Sequence, residues 1–149
     1  MKLAIGSDHA GFALKNEILE HLKSKGIEYK DFGTYSEQSC DYPEFALQVA
    51  EAVASKEFEF GILVCGTGIG IGIAANKVPG IRAALCSDTF SAHATREHND
   101  ANILTIGARV VGGGLALDIV DTFLNAKFQG DKHQRRIDMI AKIEEKYSK

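Results

Sequence analysis

Five short apolar runs punctuate this chain, and most of the sequence between them carries apolar residues at every third or fourth position. The runs Lys2–Gly6, Ile27–Phe32, Gly61–Cys65, Ile81–Cys86 and Ile103–Gly107 are of strand length, and several are rich in Ile, Leu and Val. Helix-spaced stripes follow them: Leu14, Ile18 and Leu22; then Phe45, Val49 and Val53; then Leu115, Ile119 and Phe123. This alternation leaves few solutions. Parallel strands require helical crossovers, and the crossover helices come to cover both faces of the sheet.

The expected fold class is therefore α/β: a single-domain, Rossmann-like three-layer α/β/α sandwich with a five-stranded parallel sheet. With 149 residues, 45% of them hydrophobic, the chain suffices for one core but not for separate cofactor and substrate domains, so residues 1–149 are read as one domain. The polar stretch Thr34–Cys40 and the triplet Gly112–Gly114 read as loops inside it. The last segment places Ile137, Ile140, Ile143 and Tyr147 at spacings of three or four, with no later strand to cover. That C-terminal helix is expected to pack on a dimer partner.

Charge and cysteine usage narrow the function. A formal net charge of −3 argues against nucleic acid as a partner, because phosphate-backbone binding needs a basic surface. The first residues lack a leader-like pattern and no apolar run approaches a bilayer-spanning length, so the expectation is a cytoplasmic protein without membrane contact. Cys40, Cys65 and Cys86 are odd in number and unclustered, which suits reduced thiols better than a disulfide framework or a zinc ribbon.

The most informative stretch runs from Cys65 through Gly66, Thr67, Gly68, Ile69 and Gly70 to Lys77, where a strand gives way to glycines and then a helix. Consecutive main-chain N–H groups at such a turn form a nest for a negative oxygen. No Gly-Lys-Ser/Thr follows, so this is not a nucleotide triphosphate loop. A relaxed Gly-x-Gly-x-x-Ala at Gly70, Gly72 and Ala75, with Asp88 further on, keeps a dinucleotide site as an alternative. Cys65 ends its strand at the rim where open α/β sheets place ligands, beside N–H groups that favour a thiolate. The competing reading is a small buried hydrophobe, which most free cysteines are.

Other polar groups gather at the same rim. Asp8 and His9 follow the first strand; Asp8 alone would read as a helix cap, but its convergence with Cys65 favours chemistry. Histidines 93 and 98 are wrongly spaced for a zinc-protease motif, and His21 reads as a surface residue. Arg109 follows the last strand, and Lys132, His133, Arg135 and Arg136 open the terminal helix, a local basic cluster suited to a phosphate.

Together, Gly6-Ser7-Asp8-His9-Ala10-Gly11, Asp41-Tyr42-Pro43, the run from Cys65 to Gly70, the run from Ala74 to Ala83 and Glu97-His98-Asn99-Asp100-Ala101-Asn102 resemble the ribose-5-phosphate isomerase B family almost end to end. That family also holds galactose-6-phosphate and allose-6-phosphate isomerases, and Cys65 matches the catalytic cysteine of its ribose branch. The resemblance implies interconversion of D-ribose 5-phosphate and D-ribulose 5-phosphate through an enediolate in the non-oxidative pentose phosphate pathway, without metal or cofactor.

By position, the resemblance gives Cys65 the proton shuttle between C2 and C1, with Thr67 assisting, and gives His98, with Asp8, the opening of the furanose ring. Main-chain N–H groups from Gly66 through Gly68 to Gly70, with Asn99, would hold the enediolate oxygen. The phosphate would meet His9, Arg109, Lys132 and Arg136, some of them from the neighbouring subunit of a homodimer or tetramer. Lys132 stands where family members commonly carry arginine and offers a point charge in place of a planar fork. Hexose-phosphate isomerisation, or a non-catalytic module binding sugar phosphate or nucleotide, are the alternatives.

Overall fold

The computed structural model describes residues 1–149. Its elements alternate as the apolar runs require: β1 (Lys2–Ser7), α1 (Phe12–Ser24), β2 (Glu28–Asp31), α2 (Tyr42–Ala54), β3 (Phe60–Cys65), α3 (Ile69–Ala75), β4 (Ala83–Leu85), α4 (Thr89–Asn99), β5 (Ile103–Gly107), α5 (Gly113–Asn125) and α6 (Lys132–Tyr147). All five strands are parallel, in the order β2-β1-β3-β5-β4. The chain builds outward from β1 to one edge, then returns past β1 to start β3 beside it. The C-terminal ends of β1 and β3 therefore flank the point where the winding reverses, the place where open sheets leave a crevice.

Strand alternation sorts the side chains into two cores. Leu3 and Ile5 of β1, with Ile62 and Val64 of β3, face α1, α4 and α5, where Leu14, Ile18, Leu22, Ala92, Ile119 and Phe123 are buried. Phe123 meets Phe60 edge to face, ring centroids 5.8 Å apart. On the opposite face Ala4, Leu63 and Cys65 pack with Val49 and Val53 of α2 and Ile71 of α3. Cys65 thus points to the α2–α3 side.

Three expectations change in detail. Leu115 is exposed, and α5 buries Ala116 and Val120 beside Ile119 and Phe123 instead. The run read as Ile81–Cys86 yields only a three-residue edge strand. On its open side Asn76 takes the place of a further strand: its amide nitrogen donates to the Ala83 carbonyl and its oxygen accepts the Ala83 N–H, at 3.0 and 2.8 Å, which blocks the sheet edge. His21, read as a surface residue, instead joins α1 to α5 through Asp121 at 2.8 Å.

Helix α6 lies against α4 and buries Ile137, while Ile140, Ile143 and Tyr147 stay 49%, 62% and 78% exposed. Within one chain that apolar stripe has no cover. No helix is long and apolar enough to cross a membrane.

Candidate active site

Ser7 of β1 lies level with Val64 of β3, so the residues that follow each strand leave the sheet at adjacent points. Asp8 is held there twice: its main-chain N–H donates to the Val64 carbonyl at 3.2 Å, and its carboxylate accepts the Gly11 N–H at 3.0 Å. Asp8 keeps its place at the rim but is not the helix cap: Gly11 stands at the N-cap of α1, and the Asp8 carboxylate instead closes the turn that leads to it. Across from it Cys65 closes β3, and β5 is laced to the same turn, with Ala108 N–H donating to the Cys65 carbonyl and Arg109 N–H to that of Gly66, both at 2.9 Å.

A cavity of about 410 Å³ opens at this rim. The loop after β1 contributes Asp8 and His9 to its wall, the turn after β3 contributes Cys65, Gly66 and Thr67, and the start of α3 contributes Gly70. Arg109 adds its guanidinium, which lies 3.2 Å from where a Cβ on Gly66 would stand. A side chain at this position would crowd the guanidinium and push it outward by a few tenths of an ångström.

The thiol is placed by the turn itself. Gly68 adopts φ 77°, a left-handed conformation natural to glycine, as the turn passes into α3, and its N–H points at the Cys65 sulfur, N···Sγ 3.1 Å. Gly68 was expected to hold a substrate oxygen; its N–H is instead engaged by sulfur, and the next, Ile69 N–H, donates to the Thr67 hydroxyl oxygen at 3.2 Å. The Thr67 hydroxyl keeps its own proton for another acceptor. Cys65 is only 5% exposed and packs in the α2–α3 core, yet it forms part of the cavity wall, so the hydrophobe and the site reading describe different sides of one residue.

His9 is oriented by a main-chain donor: the Cys40 N–H lies 3.2 Å from Nδ1. A backbone N–H can only donate, so Nδ1 accepts and a neutral ring carries its proton on Nε2. Cys40 thus meets His9 through its peptide N–H, with its sulfur 3.9 Å from the same ring nitrogen.

The remaining residues singled out in the sequence do not line this cavity. His98 and Asn99 end α4, and Lys132 and Arg136 lie on the first turns of α6. They gather in a second group: His98 stacks on His133 with ring centroids 4.4 Å apart. Desolvation, then the charges of His98, Lys132 and Arg136, hold the His133 imidazole below the ordinary histidine range. The Asn99 main-chain carbonyl accepts the Arg82 Nε–H at 2.9 Å, on the α4 side of β4. The candidate residues thus fall into two separate groups on one chain, one around Cys65 and one around His98.

Tyr42 was not assigned a role, yet it stands in the cavity wall at the first turn of α2, its ring against Gly70, where a Cβ would come within 2.7 Å of it. The signal was present in Asp41-Tyr42-Pro43: proline marks a first helical turn, and that turn begins at the same rim as the strand ends. The dinucleotide alternative fails on topology. Strand β5 separates β4 from β3, and Asp88 caps α4 by accepting the Ser91 N–H at 2.7 Å. Gly72 packs α3 against Thr105 of β5. No three His, Cys, Asp or Glu side chains converge in a way that would hold a metal ion.

A Rossmann-like sheet with a thiol, a carboxylate, an imidazole and a guanidinium around one small cleft defines an α/β protein built for acid–base chemistry on a small anion. Comparison with known proteins makes this specific. The family model described as Ribose/Galactose Isomerase matches residues 3–140. Ribose-5-phosphate isomerase B of Escherichia coli is 53% identical over 145 residues, covering 97% of each chain. The structure of ribose-5-phosphate isomerase B from Clostridium thermocellum superposes with a TM-score of 0.98 at 61% identity, covering 99% of this chain and 100% of that one. The enzyme of the same name from Mycoplasma genitalium, solved with bound ribulose 5-phosphate, superposes at 0.93 with 44% identity, covering 97% and 96%. The chain belongs to the ribose/galactose isomerase family.

Proposed function

We propose that this chain is a ribose-5-phosphate isomerase that interconverts D-ribose 5-phosphate and D-ribulose 5-phosphate within the non-oxidative pentose phosphate pathway. The observation that carries the reading is the Cys65 sulfur in the cavity wall, accepting the Gly68 N–H beside Asp8, His9 and Arg109. In the open-chain aldose the Cys65 thiolate takes the proton from C2, and the electron pair moves into a C1–C2 double bond with negative charge on O1. The proton on O2 passes to O1, a transfer within the reach of a Thr67 hydroxyl. The thiol then returns its proton to C1 as O2 becomes a carbonyl, which leaves the ketose and the thiolate. Positioned donors around the developing charge lower this barrier, each by about 3 kcal/mol in comparable sites.

The second group enters through self-association. In the proposed homodimer, His98 and Asn99 of one chain complete the cavity of the other, with His98 opening the furanose ring. Lys132 and Arg136 join His9 and Arg109 around the phosphate. Two features support this: His98, Asn99, Lys132 and Arg136 do not line the cavity that holds Cys65, Asp8, His9 and Arg109, and the uncovered apolar stripe of α6 lies on the helix that carries Lys132 and Arg136. The enzyme is placed in the cytoplasm, where free thiols such as its three persist.

Purified protein incubated with ribose 5-phosphate and a strong chelator is expected to reach the aldose–ketose equilibrium, and to do so faster than with galactose 6-phosphate or allose 6-phosphate. Cys65→Ala should lower kcat by at least ~10²-fold while leaving substrate binding in place. Near wild-type turnover in that variant would remove the thiol from the mechanism.

A further inference from the structure

Lys15 is fully buried on α1 and lines no cavity, which makes it the most unusual charged residue in the chain. Its ammonium donates to the Asp31 carboxylate at 2.7 Å and to the Thr34 carbonyl at 2.5 Å. The Phe12 and Tyr35 rings lie 5.5 and 5.3 Å away. Burying a long cation is costly unless it is paired and hydrogen-bonded, and here the pairing ties down a loop, since both partners lie at the end of β2 and just after it. Asp31 also accepts the Gly33 N–H at 2.8 Å, and the loop is stitched to β1 by Ser7 N–H to the Gly33 carbonyl and Thr34 N–H to the Ser7 carbonyl, both at 2.7 Å.

Beyond Thr34 the Tyr35 hydroxyl donates back to the Asp31 carbonyl at 2.9 Å, Gln38 N–H meets the Ser36 hydroxyl oxygen at 3.2 Å, and then Cys40 N–H reaches His9 Nδ1, with the Cys40 sulfur 3.9 Å from the same nitrogen. Directly after it, Asp41 precedes α2 and Tyr42 enters the cavity wall. The loop is thus anchored at one end by Lys15 and at the other carries the donor that orients His9.

We propose that Lys15 is a positioning residue for substrate phosphate: it fixes the Thr34–Cys40 loop so that the Cys40 N–H holds His9 with its Nε2–H free to donate. The inference rests on the reading of His9 as a phosphate ligand. Its effect falls on binding more than on proton transfer, because Cys65 is held by a separate turn.

The test uses Lys15→Met and the charge-balanced pair Lys15→Met/Asp31→Asn, which leaves no unpaired buried charge and provides a variant that folds if the single one does not. In the folded variant, KM for ribose 5-phosphate is expected to rise roughly tenfold, the share of one charge-assisted hydrogen bond, with kcat falling less than threefold. The nitrogen NMR signals of the His9 ring should change from one tautomer, protonated on Nε2, to a mixture. A merely structural lysine would lower the melting temperature and leave both readouts alone. Unchanged KM with a retained single tautomer overturns the proposal. If the wild-type chain shows no isomerase activity, the function reading fails, and the His9 spectrum alone still decides whether Lys15 orders the ring.

Discussion

The Gly68 N–H points at the Cys65 sulfur across 3.1 Å, joining the last residue of β3 to the N-cap of α3. Gly68 itself takes a left-handed conformation, and a Cβ there would stand 2.8 Å from the Ile106 carbonyl carbon and 2.9 Å from the Gly107 nitrogen. Sequence position alone makes Cys65 and Gly68 neighbours; the turn makes them donor and acceptor.

Gly68→Ala should therefore damage stability and catalysis together. Left-handed strain and the backbone clash are expected to cost at least ~2 kcal/mol in a urea titration, and kcat should fall with the displaced thiol. A variant of unchanged stability and rate would show that the turn is not strained by a side chain.

If each site draws on two chains, two inactive variants should rescue one another. Cys65→Ala and His98→Asn proteins, denatured and refolded together in equal amounts, are expected to regain about a quarter of wild-type activity, since about half the dimers are mixed and each has one intact site of two. No recovery, with mixed dimers present by mass spectrometry, would place His98 and Cys65 in the same subunit's site.

Asp121 links α5 to Lys25 and His21 of α1 at 2.9 and 2.8 Å. Burial works against its charge, but hydrogen bonds and charges from Lys25 and His21 outweigh it and hold the carboxyl below its usual value of 3.8. A depressed carboxylate stabilises the fold fully above the unfolded pKa and loses that contribution as pH falls through the folded one. Asp121→Asn should thus lower the melting temperature at pH 7, by the equivalent of about 0.5–1 kcal/mol, with the gap to wild type closing below pH ~3.8. A gap that persists in acid would assign the effect to packing.

The three thiols should separate on alkylation. Burial, then the charge of Asp88, push the Cys86 thiol up to about 11, so at pH 8 roughly one molecule in a thousand carries its thiolate. Iodoacetamide with peptide mass mapping is expected to label half-buried Cys40 well before Cys86 in the native protein. Early labelling of Cys86 would mean that its strand end opens to solvent.

Phe123→Ala should cost about 3–5 kcal/mol, because the ring is fully buried edge-on against Phe60 and α5 has nothing to fill the void.

What the sequence by itself determined was local or periodic. All five strands, the buried stripes of α1 and α2 and the glycine turn after Cys65 were legible because strand and helix periods and the need for glycine are properties of a few adjacent residues. Membership of the isomerase family was legible for the same reason, carried by contiguous motifs. The tertiary structure alone decided what depends on strand order and on which way a side chain turns. Placing β5 between β3 and β4 removes Asp88 from the glycine turn, although the two lie at a suggestive distance along the chain. Alternation along β3 sends Cys65 to the α2–α3 face, where it and Tyr42 line one cavity. Packing of α6 on α4 sets His98 beside His133 and away from Cys65, so residues that one motif list groups together divide between two surfaces. Such relations rest on contacts between distant segments, and no short-range pattern encodes them.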